Sequence, residues 1–130
     1  MKNPQDLKYA KTDEWVKVEG NTATIGVSDY AQSQLSDIVY LEFLVEPDDE
    51  IKKGASIVTL ESVKAAADVS SPVSGRVVAL NDSLSDEFES INTDPFGKAW
   101  MVKVELSDPS EMDGLMSADE YSAFCDDREH

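Results

Sequence analysis

The chain is expected to be a mainly β protein of short strands, edged by a few short helices and closed by a helical C-terminus. Three observations carry this. Short runs of β-branched and other apolar residues recur between turn signals built from Gly, Pro, Asn and Asp. Two pairs of these runs lie back to back, as hairpins do, in residues 14–27 and 56–73. A helical period appears only around residues 28–35, briefly around 85–91, and after Pro109.

Residues 1–13 read as an extended polar leading segment anchored by Leu7 and Tyr9. A hairpin follows over 14–27, with Trp15, Val16 and Val18 before the Gly20-Asn21 turn and Ala23, Ile25 and Val27 after it. Ser28 is placed to cap a short helix, Asp29 suits its positive end, and Tyr30, Ala31 and Leu35 share a face. The run 38–45 (IVYLEFLV) is nearly all apolar, which predicts a central or well covered strand. Glu46-Pro47-Asp48-Asp49 ends it, and Lys52-Lys53-Gly54 turns into the second hairpin. Residues 75–80 (GRVVAL) form a strand stopped by Asn81-Asp82. Ser85 is read as the cap of one or two helical turns with Phe88 and Ile91 inward, 92–97 as loop, and 99–106 as a strand. C-terminal helices are expected over about 109–127: Pro109 suits a first helical position, and Met112, Leu115 and Met116 give a stripe. Ser117 and Glu120 have capping-box spacing before Tyr121, Phe124 and Cys125, the last read as a packed side chain. No clean internal repeat is found.

At 130 residues and 41% hydrophobic content, the chain is sized for one domain (1–130) with one core. No apolar run approaches the roughly 20 residues that span a bilayer, and the N-terminus carries no targeting pattern. That reading places the protein in the cytoplasm, or in an organelle matrix if Met1 replaces a removed presequence. The net charge of −16, from 27 acidic and 11 basic residues, disfavours nucleic acid and anionic membrane and favours a soluble monomer. A lone cysteine, Cys125, and a lone histidine, His130, leave no internal disulfide, no Cys/His zinc site, and neither a Ser-His-Asp nor a Cys-His catalytic set. The six glycines form no phosphate-binding loop.

The hairpin 56–75, SIVTLESVKAAADVSSPVSG, breaks a local rule. Its tip is Ser62-Val63-Lys64-Ala65, where tight turns ordinarily place Gly, Asn or Asp. Such departures concentrate at functional sites, and Lys64 is read as an attachment point held out in solvent.

Glu61-Ser62-Val63-Lys64-Ala65, Ser71-Pro72-Val73-Ser74-Gly75 and Gly54 resemble the lysine hairpin of lipoyl domains. Lys8-Tyr9, Glu14-Trp15-Val16, Ala23-Thr24-Ile25-Gly26, Asp29-Tyr30-Ala31-Gln32 and Asp37-Ile38-Val39 are similar to the H-protein of the glycine cleavage system. So are Ile91-Asn92, Asp94-Pro95-Phe96-Gly97, Trp100 and 106–111 (LSDPSE), so the likeness covers nearly the whole chain. The resemblance implies a lipoyl-domain-like barrel-sandwich hybrid of two sheets. It implies a carrier and not a catalyst, with lipoate joined by an amide to Lys64, and Glu61 and Gly75 recognised during attachment. The implied partners are a glycine decarboxylase, an aminomethyltransferase, a dihydrolipoamide dehydrogenase, and a lipoate ligase or octanoyltransferase. It further implies that the loaded arm, whose amine is cationic, folds toward the segment before the first hairpin. There Glu14 and Asp68 are expected to attract the ammonium and Thr12 to offer a hydroxyl.

The chain departs from the family at Asp13, where His commonly precedes Glu-Trp, in adding a further carboxylate there, and at Ala65-Ala66-Ala67 and residues 44–47. Rival readings are a biotin carrier, disfavoured by Val63 and Ala65 where methionines usually flank the lysine, and an unmodified acidic interaction domain. A relay role in lipoate assembly would use the same lysine. A lipoyl domain of a 2-oxoacid dehydrogenase would sit beside Pro/Ala-rich linkers, which this chain lacks.

Overall fold

Two antiparallel sheets enclose the core in the computed structural model, which describes residues 3–128; His130 lies outside them. The larger sheet begins with β1 (Lys8–Tyr9), β2 (Glu14–Glu19) and β3 (Thr22–Val27). The Gly20-Asn21 turn closes the β2–β3 hairpin with Glu19 opposite Thr22, and Gly20 takes the positive φ of 64° that a tight turn requires. Helix α1 (Asp29–Leu35) follows, its Ser28 hydroxyl accepting from the Ala31 N–H as an N-cap.

The smaller sheet holds β4 (Ile38–Phe43), β6 (Ser56–Ser62) and β7 (Ala66–Ser70) in the order β4-β6-β7. Between them in sequence, β5 (Glu50–Ile51) joins the larger sheet against β8 (Gly75–Leu80), and β9 (Val102–Leu106) lies between β8 and β3. One apolar cluster fills the space between the sheets, with Ile25, Ile57, Leu60, Val73, Met101 and Val104 fully buried. A second cluster packs outside the first hairpin: the Tyr9 and Tyr121 rings stack at 4.7 Å, and Trp15 donates to the Pro95 carbonyl at 2.9 Å. Trp15 and Val16 point to opposite faces of β2 and so feed different clusters.

Four expectations are corrected. The run 38–45 is not a central strand: β4 is a sheet edge. A bulge between Ile38 and Tyr40 leaves Val39 and Tyr40 each 47% exposed, and an apolar count cannot register a bulge. Ser85 caps nothing; it ends a 3-10 turn over Asp82–Ser85 whose buried residue is Leu84, and α2 is the single turn Ser90–Thr93. The strand expected from Ala99 starts at Val102, although Ala99 and Met101 are fully buried. Finally, the stripe Met112, Leu115 and Met116 does not belong to one helix. The 3-10 helix Pro109–Gly114 stops before Met116, whose N–H and C=O pair with Tyr9.

The C-terminal helix α3 (Ala118–Arg128) starts as its spacing predicts. Ser117 N–H donates to Glu120 at 2.9 Å and Glu120 N–H donates to the Ser117 hydroxyl at 3.2 Å, a reciprocal capping box. Tyr121 and Cys125 are buried against the second cluster.

Candidate functional site

The tip of the β6–β7 hairpin needs no left-handed residue, because the Ser62 hydroxyl does the turning. It accepts from the N–H groups of Lys64 (3.1 Å) and Ala65 (2.9 Å) and donates to the Ala65 carbonyl (3.0 Å). The Val63 N–H donates to the Asp37 carbonyl at 3.0 Å, pinning the tip to the segment leading into β4. Lys64 is thereby exposed on a rigid turn beside Val63, which is 69% exposed. Its Nζ donates to the Gln34 carbonyl at 3.5 Å, at the C-terminal end of α1 where carbonyls concentrate negative potential.

Next to Gln34 lies a groove of about 190 Å³ between α1, the start of β2 and the face of β7; Thr12, Glu14, Gln34, Leu60, Asp68 and Val69 are among its lining. Glu14 lies in its wall. This carboxyl is only 3% exposed, yet both oxygens are engaged: the Thr12 hydroxyl donates to Oε1 in a short bond, and the Ser70 N–H donates to Oε2 at 3.3 Å. Glu14 thus ties β2 of the larger sheet to β7 of the smaller one. Burial, with a smaller push from the neighbouring Asp13, raises its pKa from 4.5 to about 7 against the lowering effect of these two bonds. Asp68 is exposed on β7 and held by Thr59 (2.9 Å) and Ser56 (3.4 Å) hydroxyls.

The fold therefore brings Thr12, Glu14 and Asp68 to one groove that opens near Lys64. Glu61 stands exposed between Tyr40 and Ala66, close to the tip. Gly75 is elsewhere: it sits in β8 of the larger sheet opposite Leu106, and an added Cβ would lie 2.0 Å from the Glu105 carbonyl oxygen. Close approach of backbones explains the glycine there. Asp13 does not add a free carboxylate to the groove. Its Oδ1 accepts from the Tyr121 hydroxyl (2.7 Å) and Arg128 Nη2 (2.6 Å), and its Oδ2 accepts from Arg128 Nη1 (3.1 Å). Sequence reasoning missed Ser62, Gln34 and Arg128. Ser62 was legible as a side-chain turn former; Arg128, 115 residues from Asp13, had no signal.

Two packed antiparallel sheets with a lysine on a rigid tip define the lipoyl-domain-like class of barrel-sandwich hybrids. A solved glycine cleavage system H protein from Mycobacterium marinum superposes with a TM-score of 0.83 at 28% identity, over 92% of this chain and 96% of the other. The family model for the glycine cleavage H-protein matches residues 7–128. Glycine cleavage system H proteins of Staphylococcus haemolyticus and Staphylococcus saprophyticus are similar at 55% identity over 121 residues and 54% over 122. Those alignments cover 93% and 94% of this chain and 95% and 96% of the relatives. The chain belongs to the glycine cleavage H-protein family.

Proposed function

We propose that this protein is the lipoyl carrier of a glycine cleavage system, and that Lys64 is its acceptor residue. The single observation that carries the reading is the placement of one exposed amine on a rigid tip, beside a groove whose buried carboxyl matches a cationic cargo. The residues fit a lipoyl group: among the described residues Lys64 Nζ meets a neutral carbonyl at 3.5 Å and no carboxylate, so its acylation breaks no ion pair there. When bound, that group supplies a dithiolane able to take up and give back an aminomethyl unit and to cycle between disulfide and dithiol.

What the chain itself contributes is position and protection. The Ser62 turn holds the acceptor at a set place, so one attached group visits several enzymes at high effective concentration. Glu14, oriented by Thr12 and Ser70, holds an ammonium in a site with little water, and Asp68 adds negative potential at the rim. Because Glu14 must be ionised to do so, retention is expected to weaken as pH falls through about 7, when a proton competes with the cation. Glu61 is assigned to recognition by the attaching enzyme through its exposure near the tip; Gly75 contributes by keeping β8 in register. The partners we assign are the decarboxylase, the aminomethyltransferase, the dihydrolipoamide dehydrogenase, and a lipoate ligase or octanoyltransferase. The protein acts as a carrier and not a catalyst. Its bacterial relatives support a cytoplasmic setting.

Intact mass spectrometry with peptide mapping, on protein produced with lipoate available, tests this. A lipoyl increment on the Lys64 peptide is expected, with none on Lys64→Arg and no biotin signal. An unmodified Lys64, in a host that lipoylates a control domain, overturns the reading.

A further inference from the structure

The clamp around Asp13 is not required to explain the acceptor lysine, yet it uses every polar atom that Asp13 has. Its N–H donates to the Ala10 carbonyl (3.0 Å), its carbonyl accepts from Ser28 N–H (2.9 Å), and its carboxylate takes Tyr121 and both Arg128 nitrogens. Asp13 also stands at φ 76°, a left-handed conformation held only where the surroundings determine it. The guanidinium of Arg128 is itself fixed, 4.1 Å from the Tyr30 ring centre and 4.4 Å from that of Phe124. Ser28, which caps α1, meets the Tyr121 oxygen at 2.6 Å. Burial raises the Tyr121 pKa, so the phenol stays a donor to Asp13. One network thus joins the end of α3, the start of α1 and the turn that delivers Thr12 and Glu14.

We propose that Arg128 is a positioning residue for the groove: paired with Asp13, it fixes the turn that aims Glu14 at Ser70 and balances the carboxylate adjoining Glu14, so that Glu14 remains available as an anion. This rests on the groove reading given above. The groups facing Glu14 come from each packed element. Its own turn supplies Asp13 and the Thr12 hydroxyl, β7 the Ser70 N–H and the Asp68 carboxylate, and α3 supplies Arg128 by way of Asp13. The hairpin tip contributes Lys64, on the Gln34 carbonyl at the end of α1. Acylation makes the Lys64 amine a neutral amide, so in the lipoylated carrier before loading Arg128 is the cation left to balance these carboxylates.

Electrostatic balance and simple bracing predict different things. Arg128→Gln leaves Asp13 uncompensated and raises the proton affinity of Glu14; Asp13→Asn leaves Arg128 uncompensated and lowers it. If the pair were only a brace, loss of either end would loosen the same turn and move Glu14 the same way.

The test is a carboxyl-carbon NMR titration of Glu14 in the full chain. Arg128→Gln is expected to raise the midpoint by about half to one pH unit and Asp13→Asn to lower it by about as much. The double variant should fall between them, and Arg128→Lys, which keeps the charge, should recover most of the shift. In the lipoylated, aminomethyl-loaded protein, Arg128→Gln should shorten the lifetime of the load about threefold at pH 7, as the ionised fraction of Glu14 falls. Shifts of the same sign in the two single variants, or no shift, overturn the proposal. A loaded lifetime indifferent to Glu14→Gln overturns the groove reading instead, while the titration still decides the Asp13–Arg128 coupling by itself.

Discussion

The hairpin tip and the groove lie side by side and are built in opposite ways. The tip is local: Ser62 folds three following residues with its own hydroxyl, and its outward ties are Val63 to Asp37 and Lys64 Nζ to Gln34. It is exposed, so an enzyme can reach Lys64. The groove is assembled from distant segments: the turn before β2, helix α1 and strands β6 and β7, braced by the end of α3. Its Glu14 is buried, so that carboxyl keeps its field. Access to the amine needs only a short stretch of chain, whereas protection of a charge needs several walls.

The comparison breaks most completely at Lys64. Lys64→Arg should abolish lipoylation and every glycine-dependent transfer while leaving the fold unchanged, because the side chain is exposed; mass spectrometry and a thermal melt together check this. A silent substitution would mean the tip is not an attachment point.

At Glu14 the expected effect is smaller and has a sign that depends on pH. A carboxyl whose pKa rises from 4.5 to about 7 on folding binds its proton more tightly in the folded chain, so stability is lost as pH rises through that window. Glu14→Gln should therefore match the parent at pH 4 and exceed it by about 3 kcal/mol at pH 8, followed by urea denaturation. The same variant should lose its loaded aminomethyl group several-fold faster. The stability result follows from the buried charge alone; the faster loss of the load is the result that a merely structural carboxyl does not predict.

Tyr121→Phe tests how far the bracing reaches. It removes the hydroxyl that lies between Ser28 and Asp13 and should cost about 1–2 kcal/mol by denaturant titration, with lipoylation unaffected. The smallest effect is expected at the tip itself. Ser62→Ala removes the acceptor of two N–H groups in an exposed turn, where water replaces it. Stability should change by less than about 1 kcal/mol and the kcat/KM of lipoylation should fall only a few-fold. An effect at Ser62 larger than at Tyr121 would reverse the contrast between a self-sufficient tip and a networked groove.

By itself the sequence determined what depends on neighbours along the chain. The Gly20-Asn21 turn, the Ser28 cap, the Ser117–Glu120 capping box and the lysine hairpin are short-range arrangements, and each is found where its residues predict. The likeness in its motifs also pointed to Thr12, Glu14 and Asp68 as one group. Only the tertiary structure decided which apolar residues were covered. Val39 is an aliphatic residue like Ile38 and Leu41, yet beside the bulge it is left exposed where they are covered. It alone decided the state of the carboxylates too. Asp13 and Glu14 are adjacent acids in the sequence, but one is matched to a guanidinium 115 residues away and the other is buried against two hydrogen-bond donors. Burial and charge pairing sum over everything that surrounds a group in space, and most of what surrounds these two comes from distant parts of the chain.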